Sequence, residues 1–374
     1  MTGTTTRPSG NKWRVAVWGT GNVGRPAIRA VLANPALELV AVIVHAPEKV
    51  GIDVGDLIGT DQVGISATED VDSVLAAGLD ALVYAASGDF RPVEAIGDVV
   101  KCLTAGANVV TPAIYPLYHP RTAPRELLAW VDGACQKGSS TFLATGVDPG
   151  WAMDLLPLVL SGICGRIDEI RAQEIFDYST YNAPDAVRNI VGFGLPMEVT
   201  PRMLQPESLI QVWGPTLNLL ADGLGVRLEA ITTVIERRPL ERTIDVPGMG
   251  RFEQGTQGAM RFEVQGVVDG AVRLVVEHVT RITPDIATDW PEPPVGKLGV
   301  HKVVIAGRPS IEVTISADDG TGNPAEGGNS TAAGRLVNSI PAVCAYGPGL
   351  MSVLDLPLIT GTLAPGTGRV GAIP

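Results

Sequence analysis

A glycine-rich turn between a short apolar strand and an amphipathic helix opens the chain. Residues 12–25 read KWRVAVWGTGNVGR, where RVAVW has the β-branched and aromatic character of a buried strand and helical spacing follows over 22–32. In the pattern G-x-G-x-x-G, Gly19 permits the tight turn, Gly21 lets backbone approach a pyrophosphate, and Gly24 lets helix and strand pack closely. The motif predicts a dinucleotide site, the alternative being a glycine turn without a ligand.

Strands and helices are predicted to alternate through the first 150 residues. This alternation indicates an α/β fold with an open, mostly parallel doubly wound sheet, that is, a Rossmann domain. After the glycine turn, the predicted strands are Leu37–Val44, a short one at Val63–Ala67, Asp80–Ala86, Asn108–Thr111 and Thr141–Ala144. The predicted helices are Val93–Leu103 and Ala123–Gln136.

Beyond Trp151 the pattern changes to successive strands with little helix between them. This favours an α+β domain on a largely antiparallel sheet with helices on one face. Its predicted helices are Ala152–Leu160 and Glu207–Leu220, and its predicted strands are Ile167–Phe176, Arg227–Glu236, Met260–Val267, Ala271–Ile282, Val300–Ala306 and Ile311–Ile315. A loop over 317–328 leads to a last helix, Ala332–Ile340, capped by Ser330 or Thr331.

These segments predict a division of the chain into four parts. The parts are a disordered lead-in (1–11), a dinucleotide-binding domain (12–150), a substrate and dimerisation domain (151–329), and a C-terminal helix and tail packing back near the first domain (330–374). A chain of 374 residues is longer than one core usually supports, which agrees with two domains.

Composition excludes several classes of function. A formal charge of −12 argues against nucleic acid or an anionic membrane as partner, since either needs a basic face. No apolar run approaches the roughly 18 residues of a spanning helix, and the polar N-terminus lacks the apolar core of a signal peptide. Four dispersed cysteines without a C-x-x-C pattern fit free thiols in a reducing cytoplasm. We therefore expect a cytoplasmic protein that acts on small molecules.

The end of the second strand bears on the choice of nicotinamide cofactor. An acid about 20 residues after the glycines usually binds the ribose 2′-hydroxyl and repels a 2′-phosphate. Here His45 or Ala46 occupies that place, and Lys49 follows near enough to meet a 2′-phosphate, with Glu48 as a partial counterweight. The sequence predicts NADP(H), with NAD use as an alternative; ordinary loop roles for His45 and Lys49 remain open.

The predicted cofactor contacts lie at the carboxyl ends of the parallel strands, where such sheets bind ligands. They are Gly19, Thr20, Gly21, Asn22, Val23, Gly24, His45, Ala46, Lys49, Ala86, Ser87, Thr111, Pro112, Gly146 and Asp148.

Hydride transfer also needs a positioned proton donor. The four histidines all lie more than four residues apart, so no dedicated metal site is expected. Neither tyrosine at 178 or 181 has a lysine four residues later, which excludes the Tyr-x-x-x-Lys pair. The loop TPAIYPLYHP (111–120) instead provides Tyr115, Tyr118 and His119 as candidates for the site. The alternative is that these side chains only pack against each other.

Several blocks resemble a known family. The glycine turn, VHAPEKVG, ATGVDPGWAMDLLPL (144–158), RAQEIFDYSTY (171–181) and IPAVCAYGPGLMSVLDLP (340–357) are similar to the dihydrodipicolinate reductase-like group. That group includes 2,4-diaminopentanoate dehydrogenase and the native amine dehydrogenases. The resemblance implies NAD(P)H-dependent reductive amination of a small ketone or aldehyde with ammonia, the reverse oxidative deamination, and a homodimer.

The chain departs from that family at one position. The resemblance implies a glutamate shortly after the strand at 108–111, but residues 111–120 contain none, and Ile114 and Tyr115 occupy the matching region. An iminium beside the nicotinamide favours a nearby carboxylate. Glu174 and Asp177, three residues apart on a strand, are expected to face opposite sides.

Glu174 and Tyr115 are the predicted catalytic residues, and an ion pair is the alternative for Glu174. The predicted substrate pocket consists of Trp151, Tyr118, Tyr178 and Tyr181. Packing between the domains is the alternative for Trp151.

Two other functions stay open from the sequence. Without the glutamate, hydride delivery persists, so the chain could reduce a carbonyl or a cyclic imine without using ammonia. A catalytically silent NADP(H)-binding sensor is the third hypothesis.

Overall fold

The glycine turn joins the first strand and the first helix of a two-sheet structure. The computed structural model describes residues 11–88, 91–181, 183–320 and 323–363. Its strands are β1 (Trp13–Trp18), β2 (Leu37–Ile43), β3 (Ala81–Tyr84), β4 (Asn108–Thr111), β5 (Thr141–Ala144), β6 (Arg166–Asp177), β7 (Ala230–Pro239), β8 (Ile244–Val246), β9 (Gly250–Phe252), β10 (Gln257–Val268), β11 (Ala271–Arg281), β12 (Gly299–Arg308), β13 (Ile311–Ile315) and β14 (Gly349–Met351).

Nine α-helices accompany these strands in the described ranges. They are α1 (Gly24–Ala33), α2 (Val54–Ile58), α3 (Val71–Ala76), α4 (Pro92–Thr104), α5 (Arg125–Gly138), α6 (Leu155–Ser161), α7 (Pro184–Ala186), α8 (Pro206–Leu224) and α9 (Pro324–Ala345). A π-helical turn, Val187–Val191, continues α7.

The first sheet has the predicted doubly wound form. Its order is β14-β5-β4-β3-β1-β2, and every pairing is parallel. Helices α1, α2 and α9 pack on one face through a core that includes Val15 and Val17, while α4 and α5 pack on the other through Ala16 and Trp18. The near-continuous apolar strands are buried on both faces for this reason.

One predicted strand of this region is wrong. Residues 63–67 form no strand in the described chain; isolated bridges join Asp53 to Ser66 and Ile43 to Thr68. The carboxylate of Asp53 instead accepts hydrogen bonds from the backbone of Val63 and Gly64, so this apolar segment packs as a loop.

The second sheet is largely antiparallel, as predicted. Its order is β13-β12-β6-β11-β10-β7, and only the β6–β11 pairing is parallel within the described residues. Helix α8 packs against it, with Trp213 and Leu217 in the shared core. The β8–β9 hairpin forms a separate two-stranded unit.

The chain returns to the first sheet through α9 and β14. Helix α9 begins at Pro324 rather than at 332, and the side chain of Asn323 caps it by accepting from Ala325 N. The expected cap at Ser330 or Thr331 is therefore wrong, because the helix starts inside the glycine-rich stretch assigned to a loop. Leu336 and Ile340 of α9 pack in the first core.

The two ends of the chain are only partly described. Residues 1–10 of the predicted lead-in and 364–374 of the tail lie outside the described ranges. In the described residues, helices that combine the length and apolar character needed to cross a membrane are absent.

Candidate active site

The turn between β1 and α1 has the geometry that a dinucleotide requires. Gly19 has φ of 112°, and a Cβ there would lie 2.9 Å from Ala85 O. A Cβ at Gly24 would lie 2.1 Å from Gly19 O, so both glycines are sterically required. At Gly21 no described atom comes within 4 Å of such a Cβ, which leaves the backbone open to a ligand.

The N-terminus of α1 is suited to an anion. Val23 precedes the helix, and among the described residues neither a side-chain cap nor an acid occupies the first turn. Backbone N–H groups at such an end, with the positive end of the helix dipole, bind phosphate. The residues present therefore fit the diphosphate of a dinucleotide.

Two residues predicted to contact the cofactor lie beside this turn. Lys49 Nζ donates to Thr20 Oγ1 at 3.1 Å, which holds the ammonium group against the glycine turn. His45 Nε2 accepts from Trp18 Nε1 at 3.0 Å and lies 3.8 Å from Asp98 Oδ2. The segment after β2 thus supplies a cation, and the carboxylate that faces His45 comes from α4.

The exits of β4 and β5 are fixed by buried hydroxyl groups. Thr111 Oγ1 donates to Tyr84 O at 2.8 Å and accepts from Ala113 N at 3.0 Å. Tyr118 is buried, and its hydroxyl donates to Pro112 O at 3.1 Å or to Thr145 O at 3.3 Å. Burial raises the pKa of Tyr118 well above its usual value. Tyr118 therefore braces the two strand ends.

The other residues of this loop extend the same edge. Tyr115 is half-buried and stacks on Tyr118 with ring centroids 6.4 Å apart. His119 Nε2 lies 2.8 Å from Asp222 Oδ2, which ties the loop to α8 of the second sheet. The remaining predicted contacts at this edge, Ala86 and Ser87, follow β3 directly.

A row of polar side chains crosses the second sheet. His301 of β12 pairs in register with Glu174 of β6, which pairs in turn with His278 of β11. Glu174 Oε2 lies 3.4 Å from His301 Nε2, and Glu174 Oε1 lies 3.5 Å from His278 Nδ1. Register places three residues from distant parts of the sequence side by side on one face.

Asp148 reaches this row from the first sheet. It lies in the turn after β5, and its Oδ2 is 3.0 Å from His278 Nε2. Trp213 of α8 donates from Nε1 to Asp148 Oδ1 at 3.2 Å and packs on the His278 ring. Asp148, predicted as a cofactor contact, thus joins Glu174, His278 and His301 in a group that we call the histidine–carboxylate cluster.

The cluster is buried and strongly polarised. Burial alone lowers the pKa of His278, but the charges and hydrogen bonds of Asp148 and Glu174 raise it to about 10. Burial opposes ionisation of Glu174, but hydrogen bonds and charges from His278 and His301 hold its pKa well below the usual range. At neutral pH, His278 is therefore a cation flanked by two carboxylates.

A second buried acid holds the turn that carries Asp148. Asp154 Oδ2 accepts from Gly150 N at 2.8 Å, and its Oδ1 accepts from Leu155 N at 2.6 Å. Burial raises its pKa to about 6, although these backbone donors oppose the shift. Arg335 of α9 contributes a buried guanidinium that donates to Thr145 Oγ1 at 3.4 Å.

The predicted pocket residues adjoin Glu174 in part. The Tyr178 hydroxyl donates to Glu174 Oε1 at 3.3 Å, and its ring stacks on Tyr181 with centroids 4.9 Å apart. Trp151 is half-buried just after the turn of Asp148. Asp177 accepts instead from Ser179 N at 2.8 Å, away from the contacts of Glu174.

The cluster also contains the donor types of a metal site. Ligand atoms of Asp148, Glu174 and His278 all lie within 4.8 Å of one another. A protonated imidazole has no free lone pair, so a metal ion would have to displace the proton that the two carboxylates stabilise on His278. The ion pairs account for the geometry without a metal.

Sequence reasoning missed His278, His301, Trp213 and Asp154. The histidines lie far from each other and from Glu174 along the chain, so spacing gave no sign of proximity. The available signal was a histidine within each of two valine-rich strand segments, RLVVEHVT and GVHKVVIAG. The pairing register of β6, β11 and β12 is what places these histidines next to Glu174.

Comparisons with known proteins give consistent results. Residues 151–367 match the 2,4-diaminopentanoate dehydrogenase C-terminal domain family, and residues 13–111 match the dihydrodipicolinate reductase N-terminal family. The chain is 54% identical to an amine dehydrogenase of Streptomyces virginiae over 95% of this chain and 98% of that protein.

More distant relatives cover the chain equally well. A 2,4-diaminopentanoate dehydrogenase of Acetoanaerobium sticklandii is 26% identical over 93% of this chain and 94% of that protein. The solved structure of an amine dehydrogenase from Mycobacterium smegmatis superposes with a TM-score of 0.73 at 21% identity, covering 93% of this chain and 97% of that one.

Proposed function

The chain belongs to the amine dehydrogenase family that includes 2,4-diaminopentanoate dehydrogenase, and from this premise we propose that it catalyses NADP(H)-dependent reductive amination. The substrates are a small ketone or aldehyde and ammonia, and the reverse reaction is oxidative deamination of the amine. The histidine–carboxylate cluster is the observation that carries this proposal, because it supplies the charge that an iminium requires.

The sign of the charge favours an iminium over an alkoxide. Glu174 is held as a carboxylate, because hydrogen bonds and charges from His278 and His301 keep its pKa well below the usual range. Opposite charges attract strongly in a poorly solvated site, so a cationic iminium is stabilised there and an oxyanion is not. Glu174 is 14% exposed at its side chain, more than His278 at 6%, and is therefore the member placed to meet the substrate.

His278 also provides the proton that the reaction requires. Ammonia adds to the carbonyl carbon, and the resulting hydroxyl group leaves as water only after it is protonated. His278 carries a proton at neutral pH, and its Nδ1 lies 3.5 Å from Glu174 Oε1. His278 would supply this proton to the leaving oxygen and become a neutral imidazole, while Glu174 stays a carboxylate and stabilises the iminium.

The remaining predicted site residues shape and close the crevice. Tyr178 donates to Glu174 and restricts its orientation. Tyr115, Trp151 and Tyr181 form apolar walls in this account, and the buried Tyr118 supports them by bracing the ends of β4 and β5. The nicotinamide, when bound, supplies the hydride that reduces the iminium carbon; the glycine turn and α1 would hold its diphosphate.

Ammonium dependence tests the reaction. Oxidation of NADPH with a panel of aldehydes and ketones should require ammonium and yield the primary amine. Equal rates with and without ammonium would exclude reductive amination and favour a carbonyl or cyclic-imine reductase. Binding of NADPH without turnover of any carbonyl or amine would favour the sensor.

The preference for NADP(H) is tested separately at Lys49, whose ammonium group lies against the glycine turn. Replacing Lys49 with Ala should raise KM for NADPH about tenfold and leave KM for NADH nearly unchanged, as expected for the loss of one charged hydrogen bond to a phosphate. Glu48→Ala in the same turn removes the counterweight to this charge and should not raise KM for NADPH. Equal effects of Lys49→Ala on both cofactors would remove the argument for a 2′-phosphate contact.

A further inference from the structure

Arg335 of α9 is a buried cation that the proposed mechanism leaves unused. The residue is 8% exposed, and its Nε donates to Thr145 Oγ1 at 3.4 Å. Its Nη2 is also buried, and among the described residues this atom has no hydrogen-bond partner. A guanidinium N–H that is buried without an acceptor costs free energy, because it has lost the water that would bind it. We therefore expect a ligand to supply the acceptor.

Arg335 lies where α9 passes from the second sheet to the first. At the start of the helix, Asn323 donates from Nδ2 to Thr180 O at 3.2 Å, so this end lies beside the turn that follows β6. Further along, Leu336 and Ile340 pack in the core of the first sheet. The guanidinium group itself contacts the first residue after β5, at the carboxyl edge of the parallel strands. Parallel sheets bind their ligands at this edge.

The glycine turn lies at the same edge of the sheet. Helices α1 and α9 pack against each other on one face, and α1 begins at the turn. In the strand order, β4 and β3 separate β5 from β1. Because neighbouring strands lie about 4.8 Å apart, the exit of β5 is about 14 Å from the glycine turn. A dinucleotide whose diphosphate binds at α1 therefore extends its nicotinamide end toward Arg335 along this edge.

The charges around Arg335 favour a neutral acceptor over an anion. Burial lowers the pKa of Arg335, and the charge of Asp154 opposes this shift. Asp154 has a pKa of about 6 and is therefore ionised at neutral pH. It supplies the counter-charge of the guanidinium and would repel a second anion. An uncharged carbonyl oxygen satisfies the free N–H without adding charge, and the carboxamide group of nicotinamide has such an oxygen.

We propose that Arg335 donates a hydrogen bond from Nη2 to the carboxamide oxygen of the nicotinamide ring. The inference rests on the dinucleotide site of the proposed function and adds a residue that holds the redox end of the cofactor. This residue comes from α9, far along the chain from the glycine turn, so cofactor binding extends beyond the domain predicted at 12–150.

Calorimetric titration of matched ligands tests the inference. NADPH is compared with 2′-phospho-ADP-ribose, which has the same adenosine and diphosphate groups but no nicotinamide, and NADH is compared with ADP-ribose. Arg335→Met should raise the Kd of the reduced cofactors about 10- to 100-fold, as expected for the loss of a hydrogen bond from a charged donor. The Kd values of the two ligands without nicotinamide should stay within about twofold of the wild type.

Ser339→Ala is the matched control variant. Ser339 lies one turn further along α9, is fully buried, and donates from Oγ to Leu336 O at 2.8 Å within the helix. Its replacement should leave all four Kd values within about twofold of the wild type. Arg335→Lys keeps a cationic donor and should recover part of the affinity that Arg335→Met loses.

Modified cofactors give a second test that needs only the wild type. The 3-acetylpyridine analogue of NADPH keeps the carbonyl oxygen and lacks the amide nitrogen, whereas the thionicotinamide analogue has sulfur, a weaker acceptor, in place of the oxygen. The wild type should bind the first within about threefold of NADPH and the second about five- to tenfold more weakly.

The outcomes separate this inference from the function on which it rests. Equal losses for the two ligands of a pair in Arg335→Met would overturn the inference, as would equal binding of the oxygen and sulfur analogues by the wild type. A selective loss of the reduced cofactors, together with turnover that ignores ammonium, would support the inference and overturn the proposed reaction. Absence of NADPH and NADH binding to the wild type would overturn both.

Discussion

The two faces of the second sheet both bury carboxylates, but they neutralise them differently. On one face, Glu263 and Glu277 accept hydrogen bonds from Arg171, at 2.8 Å and 2.6 Å, and from Arg261, at 2.9 Å and 2.7 Å. On the other face, the polar contacts of Glu174 among the described residues are two histidines and a tyrosine hydroxyl, at 3.3 to 3.5 Å.

This difference separates a structural network from a chemical one. Arginine stays protonated in proteins and fixes a carboxylate with several N–H donors, so the Arg–Glu face exchanges no protons. Histidine releases and accepts protons near physiological pH, and its shift toward higher pKa here depends on Asp148 and Glu174. The same strands thus carry a rigid face and a proton-exchanging face.

Removing one carboxylate from each face should give the largest contrast. Glu174→Gln should lower kcat by a factor of about 100 to 1000, because it removes the carboxylate that stabilises the iminium. Glu277→Gln should reduce the free energy of unfolding by about 3 kcal/mol, since it leaves the two guanidinium groups of Arg171 and Arg261 to share one buried carboxylate, that of Glu263. Steady-state kinetics and urea unfolding measure the two effects.

The comparison would fail if the effects were reversed. A stable, fully active Glu174→Gln variant would make that residue structural. A stable Glu277→Gln variant with greatly reduced kcat would move the chemistry to the arginine face.

A smaller effect concerns the pH dependence of the reaction. The pKa of His278 is about 10, so kcat/KM should fall above that pH as the imidazolium loses its proton. Asp148→Asn removes a charge that raises this pKa, and the fall should begin at a pH lower by about 1 to 3 units. Asp289→Asn, an exposed site, is the control. An unchanged alkaline limb in Asp148→Asn would contradict the role of this ion pair.

The same proton contributes to stability. The pKa of His278 is about 10 in the folded state and 6.5 in the unfolded chain, so its protonation stabilises the folded state. This stabilisation is complete below about pH 6.5 and is lost as the pH rises through 10. Denaturant unfolding at pH 6, 8 and 10 should show less of this loss in Asp148→Asn than in the wild type. Parallel curves for the two proteins would contradict this prediction.

The smallest effect is expected from the tyrosine that orients Glu174. Its hydrogen bond is long, at 3.3 Å, so Tyr178→Phe should reduce kcat/KM by only about three- to tenfold. Gln265→Ala, which removes a 2.6 Å donor to Glu263 on the arginine face, should leave kcat/KM within about twofold of the wild type. Equal losses in both variants would argue for a general effect of sheet packing.

The first sheet could be predicted in detail because its signals are local. The glycine pattern, the apolar strands and the order of elements specify a doubly wound fold, and β4 and β5 begin and end at the predicted residues. The family resemblance noted from the sequence is also confirmed by the relatives that the chain matches. The loop at 63–67 was missed because an apolar run can pack without pairing.

The cluster could be predicted only in part. Glu174 was selected because an iminium requires an acid, but its partners depend on register between β6, β11 and β12. Asp148 was placed near the cofactor from its position after β5, and its contact with His278 depends on how the two sheets meet. Neither relation has a local signature in the sequence.

A crystal structure with nicotinamide cofactor and n-butylamine bound tests the central claim most directly. The account predicts that the amine nitrogen lies within hydrogen-bonding distance of a Glu174 carboxylate oxygen, with its carbon beside C4 of the nicotinamide. An amine bound beside the nicotinamide but out of reach of Glu174 would contradict the account.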